Sequence, residues 1–249
     1  MPSKNVKFSV NIDRGIVTLE LGSVLLSSLV KFLAVYRNQI PQNFQMFKFL
    51  VNRSQPKEDQ DHLTTWNQHQ VENQLELARN TIRDYEKMMK AIDVAFKRPV
   101  EEAVFLLGAT QFTPKEAWHF TFPTDDMNNH TVLQKVHAIV DHTLLEIASN
   151  PGLSESDTFS KTFYSTNMYL MLKMEAEESE QFLSVFEERE NFSMPERCPV
   201  SQIVFENQPD IEIERESVPE KPSTSWYECK ISVKGYKHVL VKGKNIWDP

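Results

Sequence analysis

The 249-residue sequence predicts an α+β domain. Leu75, Ala78, Ile82, Tyr85, Met89, Ile92 and Phe96 recur at alternating steps of three and four residues, the stripe of a long helix. Glu102–Gly108 (EAVFLLG) is apolar on both faces, and Trp118, Phe120 and Phe122 alternate just beyond it, the pattern of a central strand and its returning hairpin partner. Helices interleaved with mainly antiparallel strands pack as helices over one face of a sheet.

Val6–Ile12 alternates Phe8, Val10 and Ile12 with polar residues and stops at Asp13-Arg14-Gly15, a strand and a turn. Gly15–Gly22 fits strand or helix equally. From Ser23 the period changes: Val24, Leu25, Leu29, Phe32, Leu33 and Tyr36 give a helix ending near Gln39, before Pro41. Gln42–Val51 reads as a short helix, and Asn52–Asp61 as a polar linker. The long helix starts near His62 and stops before Pro99. Its stripe has two readings, a homodimeric coiled coil or the inner face of a helix laid across a sheet. Phe112–Glu116 is a turn or bulge, and Thr131–Ala148 a helix with Val132, Val136, Ile139, Val140, Thr143 and Ile147 on one arc, ended by Pro151-Gly152. Met168–Met174 reads as a buried strand. The acidic run Glu175–Glu190 reads as a solvated short helix or loop docked by Phe182, Val185 and Phe186. Ile203–Phe205, Ile211–Ile213, Lys230–Val233 and His238–Val241 are short strand candidates, with an exposed Pro/Ser/Glu-rich crossing over Glu214–Ser225.

Composition narrows the function. A net charge of −8 argues against broad nucleic-acid binding, which draws on clustered Lys and Arg. Lys31 interrupts the longest apolar stretch, Leu21–Tyr36, which falls short of a membrane span, and the N-terminal residues lack a secretory pattern. Two cysteines, Cys198 and Cys229, read as reduced thiols packed as small hydrophobes in the cytosol or nucleus. Gly108 stands in no phosphate-binding motif, and no Gly-x-Ser-x-Gly elbow occurs. His130 and His137 lie two helical turns apart, too far for one metal. The reading is therefore non-enzymatic, with no cofactor and no metal.

Leu29-Val-Lys-Phe-Leu-Ala-Val-Tyr-Arg-Asn-Gln-Ile-Pro41, followed by Phe44 and Phe47-Lys48, resembles the comet family, HORMA-fold adaptors that bind the checkpoint protein Mad-two. Val104-Phe-Leu-Leu-Gly108 with Thr113-Pro-Lys-Glu116 is similar to the family's Leu-Leu-Gly strand and its following turn. His137-Ala138-Ile139, and Trp226 with Lys234-Gly235-Tyr236, add to the likeness. It spans most of residues 5–150 and the tail, while 155–220 match poorly.

The resemblance implies a single HORMA-like domain over 1–249, with a core at about 5–175, an acidic segment at 175–192 and a C-terminal safety belt at about 195–249. Three helices, roughly 18–39, 62–97 and 131–148, would cover one sheet face. The chain's own tail would fill the partner slot, with Trp226, Ile231 and Val233 on a strand from Trp226 to Val233. It further implies an interface on the third helix and the end of the first, at Tyr36, Arg37, Val136, His137, Val140 and Asp141. The residues themselves object at Val136, which sits mid-arc in a core-like face, and a one-residue shift substitutes His137. The implied partners are a closed Mad-two-type HORMA protein and a Pch-two-type AAA+ ATPase, with meiotic HORMA proteins as further clients. By the same resemblance the chain alone is a monomer of nucleus and cytoplasm, reaching kinetochore or spindle in mitosis. Two other classes stay open: a HORMA module trapping a linear peptide of a chromosome-axis or checkpoint partner, and an acidic coiled-coil homodimer. An enzyme using carboxylates in 175–190 comes last.

Overall fold

The computed structural model describes residues 6–12, 18–54, 65–123, 133–150, 164–207 and 223–237. The Asp13–Gly15 turn, Pro151-Gly152, Ile211–Ile213 and His238–Val241 lie outside the described residues, as does most of the 52–61 linker and of the 214–225 crossing.

The N-terminal strand β1 (Val6–Ile12) turns Val10 and Ile12 into the core. Helix α1 (Leu19–Tyr36) resolves the ambiguous stretch before Ser23 in favour of helix, because Thr18 caps it: its hydroxyl accepts from Leu21 N at 3.2 Å. The helix stops where Asn38 takes a left-handed φ of 54°. By length and hydropathy α1 could cross a membrane, a span the sequence reading excluded; here Leu21, Leu25, Leu26, Leu29, Val30 and Leu33 are core. Asn43 caps α2 (Phe44–Arg53) through Met46 N at 2.9 Å.

Helix α3 (Thr65–Ala95) buries Leu75, Ala78, Ile82, Tyr85 and Ile92, and the turn after it buries Phe96, as the stripe requires, but Met88 rather than Met89 is fully buried. A straight helix turns 3.6 residues per turn, so a strict heptad drifts around it, and Met88, Ala91 and Ala95 broaden the buried arc. The stripe lies inside this chain's own core, as a helix laid across a sheet requires.

Strand β2 (Val100–Gly108) lies between β3 (Pro114–Thr121) and β4 (Asn167–Glu175), antiparallel to both. Helix α4 (Leu133–Ser149) follows the hairpin. After β4 come a short helix α5 (Glu180–Val185) and strand β5 (Phe186–Glu188). The sequence read this acidic run as helix or loop only. The strand forms because Phe186 stacks on Phe182 at 4.7 Å while its backbone pairs with a neighbour. With β6 (Val200–Asn207), β7 (Thr224–Cys229) and β8 (Val233–Lys234), the described strands form one sheet of eight ordered β1-β6-β3-β2-β4-β7-β5, with β8 also on β4.

The sheet is mostly antiparallel; among the described strands only β6 runs parallel, to β1 and to β3. Strand alternation gives it two faces. Ala103, Phe105 and Leu107 of β2, Trp118 and Phe120 of β3, and Leu170 and Leu172 of β4 join the helices in one large core. Val104, Leu106, Ala117 and Met171 form a smaller cluster on the other face with Cys198, Phe192, Met194 and Trp226. Helix α1 touches both α3 and α4, and α4 reaches β1.

A cross-strand cluster of Glu102, His119 and Lys173 should contribute to stability in acid. His119 Nε2 meets Glu102 Oε2 at 2.7 Å and Lys173 Nζ donates to Oε1 at 2.7 Å. The His119 hydrogen bond, opposed by partial burial and aided by Lys173, lowers the Glu102 carboxyl to about 2. A depressed carboxylate stabilises the fold above its ordinary value, and that contribution is lost as pH falls from 4.5 towards 2. Solvent screening reduces it to about 1–2 kcal/mol. Urea unfolding of Glu102→Gln should show a shallower loss of stability across that window than the parent chain.

Candidate functional site: a filled strand slot and an exposed helix face

Strand β7 lies between β4 and β5, antiparallel to each, and among the described strands β5 pairs with β7 alone. The next strand in the chain, β6, lies five strand intervals away, about 24 Å at the usual spacing. Residues 189–199 make that crossing, well within the reach of an extended chain. They pass over the sheet face opposite the helices, where Phe192 packs on Trp226 at 4.7 Å between ring centres. A late strand is thus held on one side by the sheet and on the other by an edge strand whose continuation lies over it.

Several polar contacts fasten this arrangement. Arg189 N donates to Trp226 O at 2.7 Å, and Arg189 Nε to Glu228 Oε2 at 2.6 Å. Gln111 Nε2 donates to the same oxygen at 2.9 Å from the β2–β3 turn. The hydroxyl of Tyr227, on the helix side, accepts from Glu177 N at 3.1 Å. Cys229 and Cys198 are both buried free thiols, each pushed up to about 11, chiefly by burial.

The tail is not one strand from Trp226 to Val233. Between the pairs Met171↔Glu228 and Met168↔Val233 the tail takes five steps against three on β4, so it bulges by two residues. Lys230 N bonds Val185 O instead of the β4 ladder, which ends β7 at Cys229 and corrects the Lys230–Val233 strand. Trp226 is half-buried against the crossing, Ile231 packs on the main core from the bulge, and Val233 is fully buried in β8.

Beyond β8 a junction built on Gln39 holds the chain. Gln39, fully buried, accepts from Thr166 N through Oε1 and from Tyr236 N through its carbonyl, both at 2.7 Å. Gly235 N donates to Thr166 O at 2.7 Å, and Tyr236 packs on Phe47 with ring centres 5.2 Å apart. A Cβ on Gly235 would sit 2.5 Å from Gln39 Oε1 and 2.8 Å from Thr166 O, so only glycine fits there.

The helix surface divides the six expected interface residues into two groups. Tyr36 is 41% exposed, stacked on Phe32, and His137 and Asp141 point outward on α4. Val136 and Val140 are core, as the arc itself suggested, which corrects both as partner contacts. Arg37 is corrected for a different reason. It is buried, and its Nε and Nη2 donate to Glu116 Oε2 at 3.0 and 2.6 Å, while Trp118 Nε1 donates to Oε1 at 2.6 Å. Burial pushes the Glu116 carboxyl up, against the opposing pull of Arg37 and Trp118. The exposed face of α4 also carries Ala138, His142 and Leu145, the last 68% exposed; the sequence reading missed Leu145, although it lies one turn beyond Asp141.

Among the described residues no group of three or more His, Cys, Asp or Glu side chains converges as a metal site. No protein-family profile matches this chain, and no curated protein does.

Proposed function

We propose that the chain is a non-enzymatic adaptor of the spindle checkpoint. It binds the closed form of a Mad-two-type HORMA protein and presents it to a Pch-two-type AAA+ ATPase, which returns the client to its open form. The observation that carries this reading is β7 seated between β4 and β5 beneath the crossing segment. With β7 seated there, no partner strand can add to β4 at that place, and this reading puts recognition of the client on the outer helix face. It agrees with the resemblance of residues 29–41, 104–116 and 226–236 to the comet family.

In this reading Tyr36, His137 and Asp141 make the contacts. The adaptor contributes selectivity: a binder shifts or sorts two conformations only by its differential affinity for them. A few anchors at the centre of the patch carry most of the energy.

The test is co-purification with a client locked closed and with one locked open. The closed client should be retained preferentially, and Tyr36→Ala/His137→Glu should weaken its binding by about tenfold or more at an unchanged melting temperature. Equal retention of both client forms would refute the adaptor. Selective retention that the double variant leaves intact would refute the surface.

A further inference from the structure

The geometry points to a second docking site, for a basic linear peptide, on the sheet face opposite the helices. A groove of about 980 Å³ runs there between the β2–β3 turn and the crossing segment. Its floor is Met171 and Glu228, its walls include Phe112 on one side and Phe192 and Met194 on the other. It lies across the sheet from α1 and α4, so it stands independently of the adaptor surface.

Charge and shape select the occupant. Four glutamates, Glu188, Glu190, Glu196 and Glu228, line the groove against two arginines. Arg189 is already engaged by Glu228 at 2.6 Å and Glu187 at 3.4 Å. Glu188, Glu190 and Glu196 have no ion-pair partner among the described residues, leaving an excess of available carboxylate that Arg197 offsets only in part. At the floor Glu228 is 8% exposed; Oε2 takes the bonds from Arg189 and Gln111, while Oε1 accepts none from a described residue. A lysine or arginine entering the groove would find that oxygen within low-dielectric surroundings, where a charge-assisted hydrogen bond is strongest.

The apolar wall completes the fit. Phe112 is 79% exposed at the tip of the β2–β3 turn, an aromatic held in water beside Met171, Phe192 and Met194. An extended segment with a Leu, Met or Phe next to its basic residue would cover the Phe112 ring while its cation reaches Glu228. The excess of carboxylates on the rim disfavours nucleic acid, whose phosphates it repels.

Selection of random linear peptides displayed on phage against the full chain tests the site. Enriched sequences should pair Lys or Arg with an adjacent Leu, Met or Phe. A synthetic peptide of the enriched consensus, followed by fluorescence anisotropy, should bind about tenfold or more weakly to Glu190→Lys/Glu196→Lys and to Phe112→Ala. These positions are exposed, so the melting temperature should not move, and binding to the parent chain should weaken as salt is raised. Absence of enrichment, enrichment of acidic or purely apolar sequences, or a consensus peptide indifferent to both variants would overturn the proposal.

Discussion

Arg37→Ala should lower the unfolding free energy by about 3–5 kcal/mol, the usual result of removing one member of a buried ion pair. Glu116 is 1% exposed and takes both Arg37 bonds on Oε2, so the truncation strands a carboxylate among apolar groups. Burial already holds the Glu116 carboxyl above its ordinary value. Without the guanidinium that value climbs further, and a carboxyl raised on folding loses stability as pH increases through it. The deficit of Arg37→Ala should therefore shrink as the solution is acidified and Glu116 takes up a proton. Adding Glu116→Gln to Arg37→Ala should recover much of the loss, since the neutral amide can still accept from Trp118 Nε1. Urea unfolding of the parent, both single variants and the double variant forms the cycle that checks this. Equal stability of Arg37→Ala and the parent would show that the pair stabilises nothing. In a binding assay, any effect of Arg37→Ala should track the fraction unfolded, because the side chain is not on the surface.

The second large effect is expected at the other end of the chain. Gly235→Ala places a methyl group against Gln39 Oε1, Thr166 O and Ser165 Oγ, all within 2.9 Å. Thr166 O is backbone and cannot swing away, so either Gly235 or Gln39 must move. Moving Gln39 breaks its bond from Thr166 N, and moving Gly235 breaks those to Thr166 O and from Ser165 Oγ. Overpacking with a lost buried hydrogen bond costs about 2–4 kcal/mol. The consequence should be concentrated in the tail. Hydrogen exchange of β8 and then β7 should accelerate ahead of β2 and β3, since loosening Gly235 releases the strand that holds β5 to the sheet. An unchanged exchange rate in β7 would mean that its ladders to β4 and β5 and the crossing segment retain the strand without the Gly235 junction.

Much of the scaffold was legible because it rests on local chemistry. The stripe from Leu75 to Phe96 marks α3, the two-faced apolarity of 102–108 places β2 between two strands, and the alternation of Trp118 and Phe120 marks its hairpin partner. Val136 was readable as core from its place in the arc, and the structure agrees with that against the register implied by resemblance. Leu145 could have been found by the same means, as an apolar residue on the polar side of α4.

Other features had no local signal. Arg37 carries the same side chain whether it faces water or Glu116, 79 residues away, and nothing nearby distinguishes the two. The three-residue strand β5 is too short and too acidic to announce itself; its ladder comes from β7, about forty residues later. The groove joins the β2–β3 turn, β4, the crossing and β7, four stretches whose residues meet only because β7 enters beside β4.

Side-chain period and the entropy of turns act over a few residues, and so the α+β class, the long helix and the hairpin follow from the order of amino acids. Long-range packing set the pairing of β6 with β1, the entry of β7 beside β4, and the burial of Arg37 next to a half-exposed Tyr36. Those outcomes depend on which backbone ladders and charges are left unsatisfied once the core has formed, a balance set by partners distant along the chain.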